Sequence, residues 1–388
     1  MGFSQSLSGV NAASSQLDTI GNNISNSQTV GFKSSATQFA DIYANSQGLG
    51  TRVSDTVQNF ATGSLETTGR SLDLAIAGEG FFQFSQNEQM GYSRNGQLTM
   101  SADGYFENAQ GARLTDQQGE PLQITEFSQG SQVTTGVQSE FNLDAEAETI
   151  NPPGGFDQND SDTYNYVTNA GTVYDSLGVA HDMSMYYTKT GDNAWEANAV
   201  VEGEVVGTST DMEFDPSSGA LTNGGVITAT VPTATLGTGA ADMTFDINLE
   251  DNTQYGSDFE LRNFSQDGNT SGTFVGVDIT ESGEIMANYS NGNSGEVGTI
   301  GMATFRNPEG LTPEGDNLWT ATEESGAALL GQAGAGQIGS LESGTVEASN
   351  VDLTQELVDM IIAQRNFQAN NNAIQTQSDI LETVTNLR

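Results

Sequence analysis

Apolar side chains recur with a seven-residue period at both ends of the chain. From Phe3 they return at Leu7, Val10, Leu17 and Ile24, the a and d positions of a heptad, with Ser14 and Gly21 in the gaps and Ile20 beside the seam. At the other end Leu353, Leu357, Met360, Phe367, Ile374 and Leu381 repeat the spacing, interrupted by Gln364, Asn371 and Ser378. Both segments read as amphipathic helices. The second, over residues 352–386, opens on Asp352 as a candidate N-cap with Gln355 three residues on, and at 1.5 Å per residue it would be about 50 Å long. Such a stripe needs a partner to cover it, and the natural one is the other terminal helix, of the same chain or of a neighbouring copy. The two helices sit at opposite extremes of the chain with polar residues breaking both stripes, which favours assembly into a crowded bundle over a self-contained helical hairpin.

Between the ends the period is two. Leu72 to Ala77, the turn Gly78-Glu79-Gly80 and Phe81 to Phe84 read as strand, turn and strand, and Asn95-Gly96 and Asp103-Gly104 supply turn signals at hairpin spacing. Further strands are expected at residues 172–175, 183–188, 195–201 and 243–247, with boundaries near Pro152-Pro153-Gly154-Gly155 and within Asn263 to Gly272. The fold class expected is mainly β with α-helical termini: paired N- and C-terminal coiled-coil helices plus two nested β-barrel- or sandwich-like domains. The division expected is a helical domain from 1–30 with 350–388, an extended connecting segment at 31–71, a β domain from 72–145 with 285–349, and a second β domain inserted at 146–284.

Charge sharpens this picture. The 388 residues hold 51 Asp plus Glu against 10 Lys plus Arg, a net −41, which argues against nucleic acid or an anionic membrane as a partner. The excess lies in the middle: residues 1–72 carry only Asp18, Asp41, Asp55 and Glu66 against Lys33, Arg52 and Arg70. The 46 glycines suit a turn-rich β protein. Cysteine is absent, so no disulfide or thiolate chemistry is available. Met1 to Gln5 lack a basic leader and an apolar run follows nowhere at membrane-spanning length, so a soluble protein without a cleaved secretory signal is expected.

Candidate chemistry adds little. Residues 334–339, Gly-Ala-Gly-Gln-Ile-Gly, match a dinucleotide fingerprint formally, but no βαβ unit surrounds them and a glycine-rich turn is expected. Neither Lys33 nor Lys189 follows a phosphate-loop pattern. His181 is the single histidine, flanks a strand and reads as structural. Asp157 to Asp162 lacks the glycine and distal Glu of a calcium loop and reads as a solvated acidic loop. No catalytic residue, cofactor-binding residue, metal ligand or cofactor is assigned, and no enzyme activity is expected.

The residues do resemble a known family, the axial rod and hook proteins of the bacterial flagellum. Gly21-Asn22-Asn23-Ile24-Ser25-Asn26 with Thr29-Val30-Gly31-Phe32-Lys33 is similar to its rod-type signature. Ile76 to Phe82 and Tyr92 to Gly96 resemble its shared strand-and-turn core, and Glu347 to Leu353 with Met360 to Asn370 its C-terminal helix. Val173 to Gly178 with His181, Ala287 to Gly292, Phe305 to Leu311 and Gly315 to Trp319 resemble hook-type segments. The resemblance implies a helical homopolymer: a curved, flexible hollow tube with terminal helices lining the channel and β domains outside, acting as a universal joint that carries torque. A distal rod or hook-associated relative is the alternative within the family; a secreted adhesin-like module or an extracellular carbohydrate enzyme stands outside it. The implied partners are further copies of the chain, flagellar rod, hook cap and hook–filament junction proteins and the type III export apparatus, and the implied location is the extracellular hook. The stripe Leu7, Val10, Leu17, Ile24, Leu353, Leu357, Met360, Phe367, Ile374 and Leu381 is the expected assembly interface. Asn23, Gly31, Phe32, Asn350, Gln364 and Arg365 carry the family motif.

Overall fold

The computed structural model describes residues 3–44, 47–87 and 89–386. The two heptad segments are the helices Phe3–Ser25 and Leu353–Asn386. Asp352 caps the second, its Oδ1 accepting from the amides of Thr354 at 2.9 Å and Gln355 at 3.1 Å. Gln355 does not close the box; its side chain donates instead to Asp359, one turn on, at 3.1 Å. The helices run antiparallel. A Cβ on Gly9 would sit 2.7 Å from the Asn370 side chain, and Asn23 Nδ2 donates to Glu356 Oε1 at 2.8 Å. These contacts are the same number of residues apart on both helices, in opposite directions. The 34-residue helix outruns the 23-residue one, so its final turns continue past Phe3.

After the first helix the chain turns at Gly31, which takes φ +71°. It then forms an antiparallel hairpin, Ser35–Ala44 with Gln47–Gln58. The hairpin rests on the helix through a Thr19–Thr37 hydroxyl pair at 2.8 Å and through Gly50, whose missing side chain leaves room for Ser8.

The chain falls into two compact units, residues 1–125 with 276–288 and 294–388, and residues 126–275 with 289–293. In the first, Asp73–Ala77 pairs with Ser340–Ser343 and Gly96–Gln97, and Phe81–Gln86 pairs with Gln89–Ser93, Arg113–Leu114 and Met302–Thr304. The apolar run Leu74-Ala75-Ile76 is buried on both faces. Edge-to-face contacts link Phe60, Phe81, Tyr92, Phe305 and Trp319 into an aromatic core, and Trp319 Nε1 donates to Gln58 Oε1 at 2.6 Å. Asp103-Gly104 turns between Thr99–Met100 and Phe106–Glu107 as expected. Asn95-Gly96 does not join a hairpin: Gly96 crosses to pair with Leu74, whose carbonyl leaves no space for a Cβ, so this glycine permits close approach rather than a turn.

The second unit packs two sheets. One runs in chain order through Tyr166–Tyr174, Ala180–Gly191, Ala194–Val201, Glu204–Phe214 and Leu221–Asn223. The other orders Val226–Val231, Met243–Asn248, Gly136–Asp144 and Thr253–Tyr255, with Glu260–Gln266 also paired to Gly136–Asp144. Phe141, Met185, Tyr187, Trp195 and Phe245 fill the core, and Met243–Asn248 alternates strictly between buried and exposed. Gly136–Asp144, which precedes the expected 145/146 boundary, belongs to this unit.

His181 is buried here, its Nε2 3.2 Å from Asp175 Oδ2 and its Nδ1 3.2 Å from Glu202 Oε1. Burial opposes the Asp175 charge, but hydrogen bonds from Thr238 Oγ1, the Val179 amide, His181 and the Leu177 amide outweigh it and hold the carboxyl down at about 2. Asp157 and Asp160 turn their carboxylates onto the amides of Asn159 and Asp162. Residues 333–337 form successive turns, and Ile338 makes an isolated parallel bridge to Glu79.

Candidate assembly surface

The helix pair buries one line of each helix and leaves another open. On the first helix the buried residues are Ser6, Ala12, Ala13, Ile20 and Asn23; all but Ala12 lie one position before the heptad. Leu7 is 44% exposed, and Val10, Leu17 and Ile24 are half-buried. Small residues face inward because the partner helix and the hairpin come close, as the Gly9 contact requires. On the second helix Ala363 is fully buried, and Met360, Phe367 and Ile374 are half-buried beside it. Leu353, Leu357 and Leu381 stay outside, at 45%, 46% and 60% exposure, joined by Val358, Ile361, Ile362 and Ile380. The heptad thus divides: Val10, Leu17, Ile24, Met360, Phe367 and Ile374 are half-buried, whereas Leu7, Leu353 and Leu357 are exposed. Each such leucine, once covered, would contribute about 1.5–3 kcal/mol.

Below the pair lies a knot of three chain segments. Asn23 Oδ1 accepts the Ser35 amide at 2.9 Å while its Nδ2 donates to the Ser35 carbonyl and to Glu356. Asn350 Oδ1 accepts the Ser34 amide at 2.8 Å, and its Nδ2 donates to the carbonyls of Asn59 and Ala61. The Gly31 amide donates to the Glu347 carbonyl at 2.7 Å, and the Asn350 amide to the Phe32 carbonyl at 3.4 Å. Four of the motif residues, Asn23, Gly31, Phe32 and Asn350, therefore meet here. Gln364 and Arg365 lie apart, exposed on the long helix.

At the centre of the knot is an ion triad that sequence reasoning missed. Glu347 accepts from Lys33 Nζ on Oε1 at 2.6 Å and from Arg94 Nε on Oε2 at 2.7 Å, with both the Lys33 and Glu347 side chains fully buried. Oε1 also takes the Gly63 amide, Lys33 reaches the Ala61 carbonyl, and Arg94 NH1 donates to the carbonyls of Gly78 and Gly80. Burial pulls the Lys33 ammonium below its ordinary value, Glu347 pulls it back up, and Arg94 adds to the lowering. The available signal was the near-neutral, weakly charged ends: ionisable groups among apolar neighbours must pair. Which ones pair was hidden by the sequence separation of 314 between Lys33 and Glu347.

The chain is similar in sequence to known proteins. Residues 5–33 match the family described as flagella basal body rod protein, 75–154 the flagellar hook protein FlgE/F/G D1 domain, 142–269 the flagellar basal body protein FlaE D2 domain, and 342–387 the flagellar basal body rod FlgEFG protein C-terminal region. The chain is 40% identical to the flagellar hook protein FlgE of Escherichia coli strain K12, over the full length of both. It is 29% identical to that of Brucella suis over 98% of this chain and 97% of that one. In three dimensions it is similar to Helicobacter pylori flagellar hook protein FlgE2, with a TM-score of 0.54 at 15% identity, covering 71% of this chain and 99% of the other.

Proposed function

The chain belongs to the flagellar hook protein family, and from that premise we infer that it is a structural subunit of the bacterial flagellar hook. It polymerises helically into a curved, flexible hollow tube that acts as a universal joint between motor and filament. The observation that carries this reading is the open apolar face of the terminal helices. Large side chains stay outside a helix pair that already has its own seam, so a second set of partners must cover them. The surface offered to neighbouring copies is Leu7, Val10, Leu17 and Ile24 with Leu353, Leu357 and Leu381; Met360, Phe367 and Ile374 hold the pair from within. The contact is heterologous, and with a rotation that does not close it generates an open helix rather than a ring.

Residues 1–30 with 350–388 form the tube core and 31–71 the connector. The β part of the first unit, residues 72–125 with 276–288 and 294–349, forms the inner layer, and the second unit, 126–275 with 289–293, the outer one. The subunit leaves the cell by the flagellar type III apparatus without a cleaved signal, and the tube it builds joins the rod, a hook cap and hook–filament junction proteins. Family membership supports each of these assignments. Negative-stain electron microscopy tests the core reading. After incubation in polymerising salt, the full chain should give curved hollow tubes and a chain lacking 1–25 and 353–388 should give none. Tubes from the trimmed chain would overturn it.

A further inference from the structure

Three asparagines precede a glycine: Asn95, Asn223 and Asn291. In this dipeptide the backbone nitrogen of the glycine can attack the side-chain amide carbon, because no Cβ bars the approach. The fold treats the three differently. Asn291 is pinned: its Nδ2 donates to Gln129 Oε1 at 3.1 Å, Asn269 Oδ1 at 3.3 Å and the Thr270 carbonyl at 2.9 Å, and its Oδ1 accepts the Asn293 amide at 3.1 Å. Asn95 Oδ1 accepts the Gln97 amide at 3.0 Å, and Gly96 is buried in register with Leu74. Asn223 is exposed at the end of the edge strand Leu221–Asn223, and among the described residues its side chain reaches only Asp211 Oδ2, at 3.4 Å. Gly224 lies beyond the strand with φ +71°, and a second glycine follows.

We propose that Asn223 is a covalent modification site, a deamidation centre set off from the other two by its exposure and its single long side-chain hydrogen bond. Gly224 N bonds to Asn223 Cγ; the Gly224 amide proton leaves with Nδ2 as ammonia, and a five-membered succinimide closes. Water then opens the ring at either carbonyl, giving aspartate or isoaspartate, and no other reactant is consumed. Either product sets a new carboxylate beside Asp211. Isoaspartate also lengthens the backbone where Asn223 pairs with Glu213. Like charges and the extra carbon both loosen this edge of the sheet.

The test is peptide mass spectrometry on the full chain aged at mildly alkaline pH, with isoaspartyl methyltransferase labelling to identify the branched product. In the folded protein the Asn223 peptide should convert about tenfold faster than the Asn95 and Asn291 peptides, and in urea the three rates should converge. Equal rates in the folded protein, or the same ranking in urea, would overturn the proposal. Asn223→Gln, whose longer chain would have to close a less favourable six-membered ring, should silence the site; a retained mass shift there would overturn it too.

Discussion

Glu347 holds two cations that water cannot reach. Glu347→Gln keeps the shape but removes the charge that Lys33 and Arg94 share, and breaking a buried pair of this kind costs about 3–5 kcal/mol. The expected outcome is a lowered urea midpoint for the unit that contains it; a loss below about 1 kcal/mol would mean that water solvates the site. Asp175 behaves differently because its carboxyl, at about 2, lies below the ordinary 3.8. A depressed carboxyl stabilises the fold above the unfolded value, and that stabilisation disappears as the pH falls through the folded one. Asp175→Asn should therefore flatten the stability profile between about pH 4 and pH 2. Near-UV circular dichroism along an acid titration checks this, and an unchanged acid limb would remove Asp175 from the account.

Helices and strands differed in how far their sequence disclosed them. Both terminal helices were legible because a heptad repeats long enough to be unambiguous, and Met243–Asn248 because one face is dry and the other wet. The inner seam was not legible since hydrophobicity marks the largest side chains, whereas antiparallel close approach selects Ser6, Gly9, Ala13 and Ala363. Gly96 misled for a related reason: a turn dipeptide and a close-approach glycine have the same letters. The hairpin Ser35–Ala44 with Gln47–Gln58 read only as extended because it has no turn dipeptide and mixes apolar with polar positions on both strands. These distinctions separate two substitutions. Leu357→Asp, on the open face, should leave the thermal midpoint of the subunit unchanged yet raise the protein concentration needed for tubes at least about tenfold, as loss of a covered leucine implies. Ala363→Asp, in the closed seam, should lower the thermal midpoint and raise that concentration as well. Sedimentation beside differential scanning calorimetry distinguishes them, and equal effects on the two assays would refute the division into inner and outer faces.

Across the whole molecule the acids gather away from the terminal helices, with Lys189 and Arg262 the only Lys or Arg between residues 126 and 275. Packing many such subunits side by side is a problem of screening. The Debye length is about 30 Å at about 10 mM salt and below about 5 Å near 500 mM, so tubes should sediment intact at the higher concentration and shed subunits at the lower. Equal recovery at both would show that lateral contacts avoid the acidic faces. The knot at the base of the helices has one more consequence, which concerns time. Lys33 waits for a carboxylate 314 residues downstream, and Asn23 for one 333 residues downstream. However the chain emerges, amino end first or carboxyl end first, the last segment to arrive is a member of this clasp. A subunit halted partway cannot present a finished helix pair to the growing tip, so completeness of the polypeptide is checked by its own closure before it is built in.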